Sequence, residues 1–247
     1  MHDVFARLDA FGERYRLDHG LSPGEDWIDC SRLLDPGSPE LTRVLDAERH
    51  ASGQVSDHAT ALTVIAVYAS RVTPAALLAW ALEGVLIDMR PSNVAIRLSE
   101  HHGFEAVGLR EPSVVEGPVE RLVSWVLEEH LLPLAAALRV RTRAELRQLE
   151  GGIAYGCATA FGAAALRGGD VDALEAAYHR FLSAAGGRLD RLGRLVRLAE
   201  AGLEGLFYLR DTCCLYYTSA EKELCASCCL DSESDRIARY RAALRKA

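Results

Sequence analysis

Five of the chain's seven cysteines fall between Cys213 and Cys229. The segment reads Arg210-Asp-Thr-Cys-Cys-Leu-Tyr-Tyr-Thr-Ser-Ala-Glu-Lys-Glu-Leu-Cys-Ala-Ser-Cys-Cys-Leu230. Its pattern is Cys-Cys, ten residues, Cys, two residues, Cys, with one more Cys directly after. Seven cysteines spread evenly over 247 residues would put fewer than one in so short a window. Five packed thiols invite oxidation and add nothing to packing, so metal binding is the natural explanation. A disulfide framework is disfavoured, because the number is odd and the start, Met1-His-Asp-Val-Phe-Ala-Arg7, has early charges and no apolar signal region. Cys30 and Cys157 stand alone and read as small buried hydrophobes.

A Cys-x-x-Cys turn can aim two thiolates inward while backbone N–H groups face the sulfurs and stabilise their charge. The adjacent pair Cys213-Cys214 is less usual. In an extended strand neighbouring side chains point to opposite faces, so a turn must bring both to a single ion. Two metal atoms relax that demand. Four thiolates suit either structural zinc or an iron–sulfur cluster. Zinc sites usually pair two Cys-x2–4-Cys knuckles, and the spacing here matches neither ferredoxin run. Spacing alone favours iron–sulfur slightly and leaves zinc open.

The segment resembles the C-terminal signature of the FhuF-type ferric-siderophore reductases, Cys-Cys-x10-Cys-x2-Cys, commonly framed by an upstream Arg and a following Leu-x-Tyr. Arg210, Cys213, Cys214, Leu215, Tyr217, Cys225 and Cys228 stand at those places. The match covers about 21 residues; the remainder is similar only in length and helical character. Ala226-Ser227 replaces a Gly with an acidic residue, Cys229 a Pro, and Tyr155-Gly156-Cys157 the Trp-Gly-Asn often carried by the family's middle helix.

This resemblance implies a cytoplasmic reductase that liberates iron from ferric siderophores, of hydroxamate type by preference. Cys213, Cys214, Cys225 and Cys228 would bind a [2Fe–2S] cluster on residues 206–247, below a mainly helical domain over 1–205. Cys229 is then a surplus thiol, expected to turn away from the irons. Fe(III) is held tightly by anionic oxygen chelators and Fe(II) much less, so one-electron reduction releases the metal. Gly151-Gly-Ile-Ala-Tyr-Gly156 lies inside an expected helix, so no nucleotide-binding fingerprint supplies electrons. An external donor of ferredoxin or flavodoxin type is implied. A non-enzymatic iron–sulfur sensor and a zinc-stapled structural domain are the alternatives.

The charges near the cysteines are Arg210 and Lys222 against Asp211, Glu221, Glu223, Asp231, Glu233 and Asp235. Such a field would lower a cluster's potential and favour neutral or cationic chelates over anionic ones, unless the acids merely solvate a loop. Phe207, Tyr208, Tyr216 and Tyr217 are expected to shield the site from water.

The elements that must position this segment read as follows. Residues 1–56 look irregular beyond a first helix around Phe5–Tyr15, with loops at Ser22-Pro23-Gly24 and Asp35-Pro36-Gly37. Asp57 caps a helix to about Arg71, and Thr73-Pro74 opens another that Gly84 closes. Short apolar runs at Val85, Asn93 and Phe104 predict a small antiparallel meander near 85–110, with His101-His102 as solvated turn residues rather than ligands. A helix follows over Val119–Leu138 with a kink at Pro133. Thr142–Glu145 has capping-box spacing for a helix to Arg167, and Asp170 caps one to about Ala185. A helix with a basic stripe of Arg188, Arg191, Arg194 and Arg197 runs to about Leu209, and Asp235–Lys246 closes the chain. The fold class is α+β, predominantly helical.

Composition sets outer limits. Apolar residues are 49% and charged residues 26%, which suits a packed globular chain and not a disordered one. A net charge of −7 without a basic run argues against nucleic acid. The unbroken apolar runs, such as Ala61–Ser70, are too short to span a bilayer, so the chain reads as cytoplasmic.

Overall fold

The computed structural model describes residues 2–21 and 26–246; the Ser22-Pro23-Gly24 loop lies outside the described residues. The chain opens with α1 (His2–Ala10), followed by two two-residue strands, β1 (Asp18–His19) and β2 (Ile28–Asp29). The section expected to be irregular then holds a regular helix, α2 (Pro39–Ser52). Its signals are ordinary ones: the Ser38 hydroxyl accepts from the Leu41 N–H, Pro39 occupies the first turn, and Gly53 closes the helix at φ 64°.

Next come α3 (Asp57–Val72) and α4 (Pro74–Glu83). Ser56, one residue before Asp57, is the cap of α3 and accepts from the Ala59 N–H. Strands β3 (Val85–Ile87), β4 (Val94–Leu98), β5 (Phe104–Leu109) and β6 (Val114–Glu116) follow. They do not form a simple meander. β4 and β5 pair antiparallel, flanked by β2 and, parallel to β5, by β1; β3 pairs instead with β6. The flanking strands are too short for their pairing to show as sequence periodicity.

The helix expected over 119–138 is split into α5 (Val119–Val123), a π-helical stretch Ser124–Leu131, and α6 (Leu132–Thr142). Pro133 sits in the first turn of α6, where its missing N–H is not needed. Thr142 ends α6, its hydroxyl donating to the Leu138 carbonyl, so no capping box forms. The following helix α7 (Leu146–Ala165) starts after Glu145, and α8 (Val171–Ala184) is capped by Asp170 as expected.

The expected basic helix over 188–209 is a hairpin, β7 (Gly193–Glu200) and β8 (Leu203–Arg210). Ala201 and Gly202 make its two-residue turn at φ 53° and 82°, the combination a tight hairpin requires. The arginines mimic a helical stripe by their three-residue spacing. Three of them are engaged separately: Arg188 with Glu150, Arg194 with Glu233, Arg197 with Asp172 and Glu204. Helix α9 (Glu233–Leu244), capped by Ser232, ends the chain.

The core is built on the crossing of α3 and α7. A side chain at Gly156 would meet Ala69 Cβ at 2.4 Å and the Ala69 carbonyl carbon at 2.7 Å, so glycine permits the close approach. Tyr15, Tyr68, Phe161 and Phe181 are fully buried around it. The α3–α4 stretch, Asp57–Glu83, is long and apolar enough to cross a bilayer, contrary to the estimate from unbroken runs. Its most apolar window is 83% buried inside the fold, as a core helix is. Cys30 and Cys157 are buried as expected, and burial pushes both thiols up to about 12. A smaller apolar group, Leu198, Phe207, Leu209, Tyr240 and Leu244, fastens α9 to the hairpin.

Candidate metal centre

Strand β8 ends at Arg210 and delivers the cysteines directly. Thr212 is buried and rests on Gly151 of α7, where a Cβ would come within 1.9 Å of the threonine hydroxyl. Gln148, one turn earlier, reaches toward the Cys213 carbonyl. Leu215 adopts φ 56° and reverses the chain, so that Cys213 and Cys214 need not sit on opposite faces of a strand. The ten-residue loop is then pinned to the helical domain. Thr218 Oγ1 lies 2.8 Å from Gln54 Oε1, and the Ala220 N–H donates to the Ser52 carbonyl at 2.9 Å. The second knuckle closes through the Cys228 N–H donating to the Cys225 carbonyl at 2.9 Å.

Helix α9 holds this assembly from behind. Arg236 donates to the Arg210 carbonyl at 3.0 Å, and the Tyr240 hydroxyl to the Tyr208 carbonyl at 2.7 Å. Arg239 reaches both the Ala226 carbonyl and Asp231.

One pair of thiols is in direct contact. Cys214 and Cys225 share a hydrogen bond at 3.7 Å. Cys228 is buried, and Cys213 and Cys229 are partly buried. Among the described residues, no three His, Cys, Asp or Glu side chains converge as they would around one ion.

The electrostatics favour the anion at Cys214, while burial raises Cys213 and Cys229. The bond from Cys225 draws the Cys214 thiol down to about 6, aided by Arg210 and by the N–H groups of Tyr216 and Cys214 itself; burial opposes them. The same shared proton pushes Cys225 up. The Leu215 N–H points at Cys213 Sγ, 3.4 Å away. Arg210 is 2% exposed, with Nε and Nη2 lacking any hydrogen-bond partner. Its guanidinium lies 5.1 Å from the centroid of the Tyr155 ring. A buried cation without a counter-charge is costly, and an anionic thiolate–metal centre supplies the missing charge. The donor set and this orphaned cation fit an iron–sulfur group.

Residues 210–230 match the family model of the FhuF 2Fe–2S C-terminal domain. The segment is thus a [2Fe–2S] domain. No curated protein matches the chain.

Of the clustered cysteines, Cys214 and Cys225 are brought into contact, and the Cys225–Cys228 turn sets Cys228 beside them. The expected aromatic shield is only partly present. Tyr208 is buried, but Phe207 stacks on Tyr240 at 4.6 Å in the apolar group behind the hairpin, and Tyr217 is 38% exposed. Tyr216 donates instead to Glu221 at 2.7 Å. Of the paired histidines, His101 is exposed, while His102 lies 3.0 Å from the buried Glu48 carboxylate and beside the Tyr216 ring. Glu48 favours protonated His102 and raises its pKa. Reasoning along the sequence missed Gly151, Gln54 and Glu48, and it did not connect Tyr155 with Arg210. Only the departure at Tyr155-Gly156-Cys157 hinted at the last.

The acidic surroundings are also weaker than the residue count implied. Asp231 is paired with Arg239 and Glu233 with Arg194, leaving Asp211, Glu221, Glu223 and Asp235 exposed without an ion pair among the described residues.

Proposed function

We propose that this chain is a cytoplasmic one-electron reductase of ferric siderophores, with Cys213, Cys214, Cys225 and Cys228 holding its cluster on residues 206–247. Residues 1–205 act as the framework that fixes those thiols. The bound cluster supplies a one-electron carrier, and the chain's own residues decide what can approach it. The observation that carries the reading is the asymmetric burial of the thiols. Cys214 and Cys228 are buried, while Cys213 and Cys225 are half-exposed, so one side of the group faces solvent.

That arrangement suits outer-sphere transfer to a bulky chelate. The cavity touching the second knuckle, bordered by Tyr155, Tyr208, Ala226 and Tyr240, has a volume of only 170 Å³. Pockets that enclose drug-sized ligands run to ~300–1,000 Å³, so a ferric chelate would be met at the surface and not engulfed. Tyr217, Leu224 and Leu230 of the same segment are exposed apolar side chains. Arg210 stabilises added negative charge from within. The electron passes to chelated Fe(III), and the weakened Fe(II) complex dissociates as solvent protonates the ligand oxygens. An external protein such as a ferredoxin or flavodoxin restores the electron.

Hydroxamate complexes are the favoured substrates because Asp211, Glu221 and Glu223 leave a residual negative rim. At low salt, neutral and cationic ferric hydroxamates are expected to oxidise the reduced protein faster than anionic catecholates of matched driving force. Added salt should narrow the gap. A low-salt preference for catecholates would count against hydroxamates as substrates.

A further inference from the structure

Gln54, in the link between α2 and α3, is 2% exposed, and both ends of its amide are engaged by the cysteine segment. Its Nε2 donates to the Leu215 carbonyl at 3.4 Å, and its Oε1 accepts from the Thr218 hydroxyl at 2.8 Å, across 161 and 164 residues of chain. Thr218 Oγ1 also lies 2.7 Å from the Leu215 carbonyl, but its single proton serves one acceptor. Turning the amide over would set Oε1 against the carbonyl oxygen, so the partners fix its orientation. The Thr218 N–H donates to the same carbonyl at 2.9 Å. The neighbouring tie, from the Ala220 N–H to the Ser52 carbonyl, uses backbone alone and does not depend on the Gln54 side chain.

The residue so held is the one on which the first cysteine pair turns. Leu215 has φ 56° and ψ 18°, a left-handed backbone that leucine adopts only where its surroundings enforce it. From that position its N–H donates to Cys213 Sγ at 3.4 Å. The carbonyl that Gln54 grips and the N–H that faces the sulfur thus belong to one residue. A hydrogen bond to a ligand sulfur favours the state with more charge on sulfur, which is the reduced one, and so raises a cluster's potential.

We infer that Gln54 is a positioning residue of the centre: by holding Leu215 it keeps the Leu215 N–H on Cys213 Sγ and thereby raises the reduction potential. This rests on the four-cysteine reading above. Gln54 contributes no metal ligand and no proton, and the electron is the one that the cluster already carries.

The wild type, Gln54→Met and Thr218→Val test this after anaerobic reconstitution with iron and sulfide. Met has nearly the length of Gln and neither donates nor accepts as its amide does. Gln54→Met is expected to load two irons and two sulfides per chain with unchanged far-ultraviolet circular dichroism. Its ratio of reduced to oxidised cluster, poised at the wild-type midpoint potential, should fall several-fold, with shifted EPR g-values. Thr218→Val, which frees only Oε1, should move both in the same direction by less. A loaded Gln54→Met protein with the wild-type ratio and g-values would overturn the inference, even if it melted at a lower temperature, because Gln54 would then be structural only. Should Gln54→Met fail to fold or load, Thr218→Val decides: a lowered ratio supports the inference and a wild-type ratio overturns it. A wild type that takes up no cluster would instead refute the ligand reading itself, and a loaded wild type inert toward ferric chelates would refute only the proposed reaction.

Discussion

Arg210 shows how one side chain links packing to redox chemistry. It is held at the end of β8 over Tyr155, buried, with two of its nitrogens unpartnered. Its charge lies against the thiols, so it favours every state in which they carry more negative charge, the reduced state most of all. Replacing it by Met removes a buried unit cation whose field reaches the thiols. At an effective dielectric of ~20 that is worth a few kcal/mol, on the order of 100 mV for one electron. Arg210→Met is expected to lower the potential by that order in a redox titration followed by EPR, with Arg210→Lys in between. An unchanged potential in a loaded Arg210→Met protein would remove Arg210 from the account. The cysteines and Arg210 were legible in the sequence because their spacing is itself the signal. Tyr155 was not, because it lies 55 residues away and meets Arg210 only through the packing of α7 on β8.

Among the elements, α7 does the positioning. Its N-terminal part offers Gln148 to Cys213 and a bare backbone at Gly151 to Thr212. A methyl group at 151 would lie 1.9 Å from Thr212 Oγ1 and 2.6 Å from Thr212 Cβ. Alanine is the better helix former by about 1 kcal/mol, but overpacking costs roughly 1–3 kcal/mol. Gly151→Ala should therefore keep its helical circular dichroism, melt at a lower temperature and release iron faster to a chelator. A variant at least as stable as the wild type, with wild-type iron retention, would show that the cysteine turn is not seated on α7.

The same element scale explains which parts of the fold were readable. α3, α4 and α8 carry long periodic patterns with caps at their ends. The β7–β8 hairpin was read as a helix because Arg188, Arg191, Arg194 and Arg197 recur every three residues. The Ala201-Gly202 turn, the feature that decides the matter, is only two residues long. The β3–β6 pairing is set by tertiary contact and leaves no local trace.

At the scale of the whole molecule, a buried network ties distant segments together. His130 Nδ1 faces the Met89 carbonyl at 2.6 Å and therefore carries the proton, so Nε2 accepts from the Tyr68 hydroxyl at 2.6 Å. Burial lowers the His130 pKa to about 4 from 6.5, against the opposing effect of the Met89 bond. In the unfolded chain this histidine takes up its proton near 6.5. Between those values the unfolded state binds more protons, so stability falls as the pH falls from 6.5 towards 4 and levels off below. The loss attributable to His130 is roughly 3 kcal/mol at the acid end. His130→Gln should flatten the pH dependence of urea unfolding across that window, while being less stable at pH 7. An unchanged pH slope would mean that His130 is not buried in its neutral form.

The proposed reductase activity rests on the whole-molecule arrangement, which leaves Cys213 and Cys225 partly exposed while helices frame the segment. The decisive measurement is a single turnover under strict anaerobiosis. Protein reconstituted to two irons and two sulfides is reduced by one electron, freed of reductant, and mixed with excess ferric hydroxamate and an Fe(II)-specific dye. The account predicts one Fe(II) trapped per reduced chain, with the visible spectrum of the oxidised cluster returning at the same rate. Reduced, fully loaded protein that stays reduced before a panel of ferric chelates, with no Fe(II) trapped, would contradict it.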